Sequence, residues 1–184
     1  MDIISKMNKV TTDAERILNK AYEDYHAFSR NAESQEFYAL RLQAAIVQFE
    51  LCSQMKQVVE STLCSFASKV KLKDFIHKVY EYNKTLRGSH VNHICVLAQN
   101  RGLPVLVTKL QESSRTWRKA LSKIDSFKNI RNKTAGHYDP DIAEQVQWVE
   151  SIKENDAVTA FEAFLSYNME VLKTLKDIGT LKNV

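Results

Sequence analysis

Apolar residues recur at every third or fourth position along most of this chain, the spacing that places side chains on one face of an α-helix. The first stripe of this kind runs from Ile3 to Phe28 and predicts one long helix. Thr12 and Glu15 have the spacing of a capping box, so a helix that begins at Asp13 after a short earlier turn stays open. The pattern as a whole favours the single long helix.

The next three stripes predict two longer helices and a short one. Polar residues 29–34 precede a second stripe over residues 37–66, which predicts a long helix through Phe66. A third helix is predicted over residues 72–86, because Gly88 follows it and glycine commonly ends a helix. A fourth helix, over residues 91–99, stops at the stretch NRGLPV.

A fifth helix is predicted to begin at Pro104, which suits a first helical turn, and its apolar line runs from Leu106 to Phe127. One further step of four along this line reaches Arg131. Arginine is seldom buried without a partner. Two interpretations of Arg131 stay open: its charged end reaches solvent at the helix end, or it points into a cleft that receives an anion.

A short loop is predicted after the fifth helix. Gly136 suits the end of that helix, and Asp139 followed by Pro140 suits the N-cap and first residue of the next one. His137 is therefore expected to lie in the loop between the two helices.

The remaining pattern and the composition complete a helical prediction. Apolar stripes over residues 142–152 and 156–176 predict a short and a long helix. Four glycines and two prolines in 184 residues are too few turn residues for a β-sandwich or barrel. The chain is predicted to be all-α, an antiparallel bundle of four long core helices plus shorter helices. No linker divides it, so residues 1–184 are predicted to form one domain.

Composition also predicts a soluble, cytoplasmic protein. The N-terminus has no apolar signal region, and no apolar run approaches the roughly 18 residues of a membrane span. The cysteines Cys52, Cys64 and Cys95 are odd in number and lack CxxC spacing, so reduced thiols are expected. His90 and His93 lie near Cys95, but no further zinc ligand occurs at a recognisable spacing, so no metal is predicted.

Charge is unevenly distributed, although the net charge is only +4. Residues 104–133 contain only two acids, Glu112 and Asp125, but eight cations: Lys109, Arg115, Arg118, Lys119, Lys123, Lys128, Arg131 and Lys133. Residues 139–156 contain six acids and one lysine. Two interpretations stay open: the two segments pair as neighbouring helices, or the basic segment faces a polyanion such as RNA.

Arg131 and His137 are separated by five residues, and Asn132 directly follows the arginine. The stretch Arg131-Asn132-Lys133-Thr134-Ala135-Gly136-His137 resembles the signature of the HEPN superfamily, helical ribonuclease and nucleotide-binding domains with Arg, four to six residues, then His. The predicted helices on either side resemble the family's placement of this motif. An acidic residue directly follows the His-Tyr pair, and in this feature the sequence resembles the branches of the superfamily found in abortive-infection and toxin systems.

The resemblance implies a HEPN-like fold and a metal-independent endoribonuclease that acts as a homodimer, without a cofactor and with an antitoxin or other regulatory protein as partner. His137 and Arg131 would be the catalytic pair, with Asn132 orienting a phosphate or the imidazole. Lys128, Lys133 and Tyr138 would contact the RNA. In one toxin subtype a modifiable tyrosine lies two residues beyond the histidine; Asp139 occupies that place here.

Other interpretations stay open. Arg87 and His93 have the same spacing, but Gly88 replaces the polar residue after the arginine and no basic strip precedes the motif. The motif at residues 131–137 is therefore preferred. A non-catalytic HEPN-like module that binds RNA or nucleotides, or a helical adaptor without a nucleic-acid role, is the alternative to a ribonuclease.

Overall fold

The structure is a computed structural model, which describes residues 3–28, 32–60, 65–86, 90–122 and 142–180. These ranges contain helices and no strand. In chain order the helices are α1 (Ile3–Phe28), α2 (Ala32–Glu60), α3 (Ser65–Thr85), α4 (Val91–Asn100), α5 (Pro104–Ser122), α6 (Ile142–Glu150) and α7 (Glu154–Thr180). The predicted all-α class is confirmed. Within the described ranges, none of the helices is long and apolar enough to cross a membrane.

One predicted boundary is wrong. The second predicted helix extended through Phe66, whereas α2 ends at Glu60 and α3 begins at Ser65, seven residues before the predicted start of the third helix. Phe66 therefore belongs to α3, where its side chain is 39% exposed. The error arises because Val58, Thr62 and Phe66 continue the stripe in steps of four, and neither glycine nor proline marks the end of α2. As a result, five of the described helices have 19 residues or more, where four long ones were predicted.

The turn between α4 and α5 follows the prediction closely. Gly102 has a φ of 69°, a left-handed conformation that side chains with a Cβ rarely adopt. The amide of Gly102 donates to the carbonyl of Gln99 at 2.9 Å, and the amide of Leu103 donates to the carbonyl of Ala98 at 2.9 Å. These bonds satisfy carbonyls at the end of α4, and Pro104 then begins α5 without needing an amide donor.

Helix α7 is the element around which the core is arranged. It packs on α2, α3, α4 and α5, while α1 packs chiefly on α2 and α6 packs on α3. The fully buried Phe164 lies near the centre of α7 and makes edge-to-face contacts with Tyr82 and Trp117 at ring distances of 5.8 and 5.2 Å. Burial of each such aromatic side chain contributes about 1.5–3 kcal/mol.

A buried hydrogen-bond network joins α7 to its neighbours. The side chain of Asn168 is 0% exposed, and its amide nitrogen donates to the carbonyl of Ala44 and to Oε1 of Gln48, both at 2.9 Å. Its oxygen accepts from the hydroxyl of Tyr82 at 3.3 Å. One asparagine therefore connects α7 with α2 and α3, and each of its polar atoms is paired.

Replacement of this asparagine is expected to be costly. Asn168→Ala leaves buried groups of Tyr82 and Gln48 without their partner, so it should lower the free energy of unfolding by about 2–4 kcal/mol. Urea denaturation measures this change. The exposed Asn8→Ala on α1 is the control and should stay within about 0.5 kcal/mol of the wild type. Similar small losses in both variants would show that the network does not hold the helices together.

Candidate nucleic-acid interface

The predicted site itself lies outside the described residues. All six of its side chains, namely Lys128, Arg131, Asn132, Lys133, His137 and Tyr138, fall within residues 123–141. Their roles therefore stay predictions. The helices on either side are described: α5 precedes this segment in the chain, and α6 follows it.

Helix α5 is fixed to the core by a tryptophan. Trp117 is 1% exposed, and its indole Nε1 donates to Oδ1 of the buried Asn83 at 2.9 Å. Its ring packs on Phe164. A single side chain thus ties the second half of α5 to both α3 and α7, and it lies on the turns that lead into the predicted site. Trp117 is therefore a packing residue of the core.

A second polar attachment lies one turn before Trp117. Ser114 is buried, and its Oγ accepts from Nε and Nη2 of Arg118 at 3.4 and 3.2 Å. Ser114 also shares a hydrogen bond with Tyr167 of α7. Burial raises the pKa of Tyr167, while the bond to Ser114 and the charge of Arg118 lower it in part. The guanidinium of Arg118 is therefore held close to the α5–α7 contact.

The solvent-facing side of α5 is basic. Lys109, Arg115, Arg118 and Lys119 are all exposed on it, with Glu112 as the acidic residue among them. This set is the described half of the basic segment predicted from the sequence. Because cations on one helix face attract phosphate groups without regard to base sequence, the face is suited to a polyanion.

Helix α6 packs elsewhere, which bears on the alternative that the basic and acidic segments pair. α6 packs on α3, where Lys69 Nζ donates to the carbonyl of Glu150 at 2.6 Å, whereas α5 packs chiefly on α7 and α4. Trp148 of α6 is half-buried against the core and donates to Oε1 of Glu144 at 3.3 Å. The described part of the basic segment is therefore positioned chiefly by α7 and α4.

The histidine of the second Arg/His pair, His93, makes a contact that the sequence did not predict. Arg87 lies outside the described residues, but His93 is on α4, with its Nδ1 2.5 Å from Oε1 of Glu36 on α2. This contact joins two helices at the surface, with both side chains about half exposed. His90, one turn earlier, has its pKa lowered by burial and by the nearby His93, and raised in part by Glu36.

The described thiols and acids offer little other chemistry. Cys52 is fully buried, and burial raises its pKa to about 12, so it stays protonated near neutral pH. Cys95 is half-buried with its pKa raised for the same reason, and both thiols are free. Cys64 lies outside the described residues. Across the described ranges, His, Cys, Asp and Glu side chains form no group of three that could hold a metal ion.

Sequence reasoning missed the polar residues that hold α5 in place. Asn83 and Ser114 lie on buried faces, where a polar residue interrupts an apolar stripe, and this interruption is the signal that could have found them.

The chain matches no family model, no curated protein and no solved structure. The resemblance to the HEPN superfamily therefore depends on the motif at residues 131–137 and on the helical plan around it.

The anchoring of α5 leads to a stability prediction. Trp117→Ala should lower the free energy of unfolding by about 3–5 kcal/mol, because it leaves a cavity beside Phe164 and removes the partner of Asn83. Trp148→Ala should cost less because that side chain is half-buried, and Arg115→Ala on the exposed face should change stability by at most about 0.5 kcal/mol. Urea unfolding of the three variants gives the order, and a Trp148 variant as unstable as the Trp117 variant would contradict it.

Proposed function

We propose that this protein is a metal-independent endoribonuclease of the HEPN type, acting in a toxin–antitoxin or phage-defence system. The observation that carries the proposal is the motif Arg131-Asn132-Lys133-Thr134-Ala135-Gly136-His137 in the segment between α5 and α6. The exposed basic face of α5 leads directly into that segment and supports RNA as the substrate. In the proposed enzyme two copies bring their motifs together at a dimer interface.

The proposed reaction uses the ribose 2′-hydroxyl as nucleophile. Its oxygen attacks the adjacent phosphorus, the bond from phosphorus to the 5′-oxygen breaks, and the products are a cyclic 2′,3′-phosphate and a 5′-hydroxyl. His137 takes the proton from the 2′-hydroxyl, and the imidazolium that forms gives a proton to the leaving 5′-oxygen. General acid–base help of this kind contributes typically ~10²–10⁴-fold to the rate.

Arg131 stabilises the transition state in this scheme. The pentacoordinate phosphorus places negative charge on its equatorial oxygens, and a planar guanidinium binds two such oxygens through parallel hydrogen bonds. Asn132 orients a phosphate or the imidazole. Lys128, Lys133 and Tyr138 contact the RNA strand next to the cleaved bond.

The second candidate is an RNA-binding module of the same fold without catalysis. The basic face of α5 favours it, because four exposed cations attract RNA whether or not the motif cleaves it. Cleavage in the presence of EDTA distinguishes the two candidates.

The decisive experiment compares the two Arg/His pairs. Purified wild-type protein should cleave total RNA in EDTA, and Arg131→Ala and His137→Ala should each lower single-turnover cleavage by roughly 10²-fold or more. Arg87→Ala and His93→Ala should leave cleavage nearly unchanged. His93→Ala is the sharper control, because His93 lies on the described helix α4 and its substitution removes a known contact with Glu36 of α2.

Circular dichroism and urea denaturation show that each variant is folded. Activity lost in the residue 87 and 93 variants, together with a fully active Arg131 variant, would assign catalysis to the other motif. Salt-dependent RNA binding by wild-type protein that never cleaves would select the non-catalytic module.

RNA binding itself should depend on cations near the motif. Arg115→Ala and Lys133→Ala should each weaken binding and reduce the slope of log K against log salt by about one, since each removes a phosphate contact. Lys9→Ala, an exposed cation on α1, is the charge-matched control and should leave the slope unchanged. Fluorescence anisotropy of a labelled single-stranded RNA at several salt concentrations measures the slopes. Equal effects of all three substitutions would mean that RNA responds to net charge alone.

A further inference from the structure

A groove runs between α1 and α7 along the surface of α2. It consists of three consecutive cavities of about 430, 390 and 480 Å³. The first two share Val10 and Leu165, and the last two share Ile17, Met169 and Lys173. Shared walls make them one continuous depression, which we call the α1–α7 groove.

The walls of the groove are two apolar stripes at helical spacing. Met7, Val10, Ala14 and Ile17 line it from α1. Phe161, Leu165, Met169 and Leu172 line it from α7. At 1.5 Å of rise per residue each stripe extends over about 15 Å, and the charged residues beyond it bring the groove to about 20 Å. An α-helix of about four turns has this length.

The middle of each stripe is incompletely covered. Val10 and Ile17 of α1, and Leu165 and Met169 of α7, are half-buried, and Val158 at the near end is 41% exposed. α1 packs chiefly on α2 and α7 is also seated on α2, so the two helices stand on either side of a gap. Apolar side chains facing each other across such a gap are the arrangement into which a further helix fits.

Charge distinguishes the two ends of the groove. At the near end, the charged residues in the lining are Lys6 and Glu162. At the far end, the charged lining is entirely cationic: Arg16, Lys20, Arg41, Lys173 and Lys176. These five residues surround a floor made by Ile17, Met169 and Leu172.

Acidic residues next to the far end hold some of these cations in place. Asp24 lies 3.1 Å from Lys20 and 2.5 Å from Arg41, while Asp13 pairs with Arg16 and Glu170 pairs with Lys173 at 3.3 and 2.7 Å. Glu23 is 3.5 Å from Lys20. None of these four acids is among the lining residues of the far-end cavity, whereas Asp13 and Glu170 line the middle one, so the purely cationic lining is confined to the far end.

We propose that the α1–α7 groove binds an amphipathic helix of a partner protein. The apolar face of that helix covers the two stripes, and acidic residues at one of its ends lie against the cations of the far end. This inference is independent of the ribonuclease proposal, since it uses no residue of the predicted site.

Charge complementarity selects this occupant over the others. A second copy of this groove offers no acidic end: in a parallel arrangement the two cationic far ends would repel, and in an antiparallel one the far end would meet Lys6 and Glu162, whose charges balance. Single-stranded RNA would gain from the cations but not from about 15 Å of aliphatic wall, because bases stack on aromatic rings and the groove presents mostly Val, Ile, Leu and Met.

Designed peptides test the proposal directly with the full chain. The probes are fluorescein-labelled 16-residue amphipathic helices with leucine at positions i, i+3, i+4 and i+7 and three glutamates at one end. One version has the glutamates at the N-terminus and another at the C-terminus. A matched control has three lysines in their place. Fluorescence anisotropy at low salt should show that at least one acidic peptide binds about tenfold or more tightly than its lysine counterpart.

Substitutions in the protein locate the binding. Met169→Glu places a charge in the middle of the apolar wall and should weaken binding of the acidic peptide about tenfold or more. Lys176→Glu should reduce the preference for glutamate over lysine. Val105→Glu is the matched control, because Val105 is 64% exposed on α5, outside the groove, and its substitution should leave binding unchanged.

Several outcomes would overturn the proposal. They are the absence of saturable binding for both acidic peptides, equal binding of the lysine peptide, and an equal loss in the Val105→Glu protein. Sedimentation distinguishes a partner helix from a second copy of the chain. A dimer of wild-type protein that Met169→Glu converts to a monomer would assign the groove to a second copy. Lys176→Glu, an exposed change at the far end, keeps the test valid if Met169→Glu does not fold by circular dichroism.

Discussion

Burial of α7 against four other helices is the constraint on which the rest of the structure depends. Phe164 and Asn168 lie one turn apart on its buried side. The ring of Phe164 packs against Trp117, and the side-chain amide of Asn168 forms hydrogen bonds with α2 and with Tyr82. The apolar contact supplies most of the stabilisation, since hydrogen bonds exchange water partners for protein partners and contribute about 1 kcal/mol each. The amide matters in another way, because any other register of α7 would leave its polar atoms unpaired.

The sequence predicted the helices well and their ends less well. Spacing of apolar residues identified α1, α4, α5 and α7, since a 3.6-residue period repeated over many turns is typical of a helix with one buried face. It missed the end of α2 because the stripe continues in phase to Phe66, and phase alone does not reveal an interruption. Two apolar residues within the predicted stripes, Phe28 and Val158, are nevertheless 54% and 41% exposed. Exposure depends on which helix lies opposite, and that is a tertiary property.

The two proposed surfaces, the basic face of α5 with its motif and the α1–α7 groove, differ in how far the sequence could predict them. Capping signals predict a loop position for His137, and the basic segment is recognisable from the sequence alone because its cations are close together in the chain. The far end of the α1–α7 groove was not visible in this way. Its cations come from α1, α2 and α7, so that Arg16 and Lys176 are separated by most of the chain. A half-exposed stripe and a buried stripe have the same sequence pattern, and folding alone distinguishes them.

The two proposed surfaces share α7 as their support. Tyr167 and Phe164 contact Ser114 and Trp117 of α5, while Leu165 and Met169, on the same two turns of α7, form the wall of the groove. A helix that binds in the groove binds the folded chain and not the unfolded one, so it stabilises α7 in proportion to the logarithm of its concentration above Kd. Because α5 is seated on α7, opening of the α5 contact by local unfolding of α7 becomes rarer by the factor 1 + L/Kd, where L is the concentration of the partner helix. Occupation of the groove would therefore stabilise the end of α5 from which the chain continues into the segment that contains Arg131 and His137.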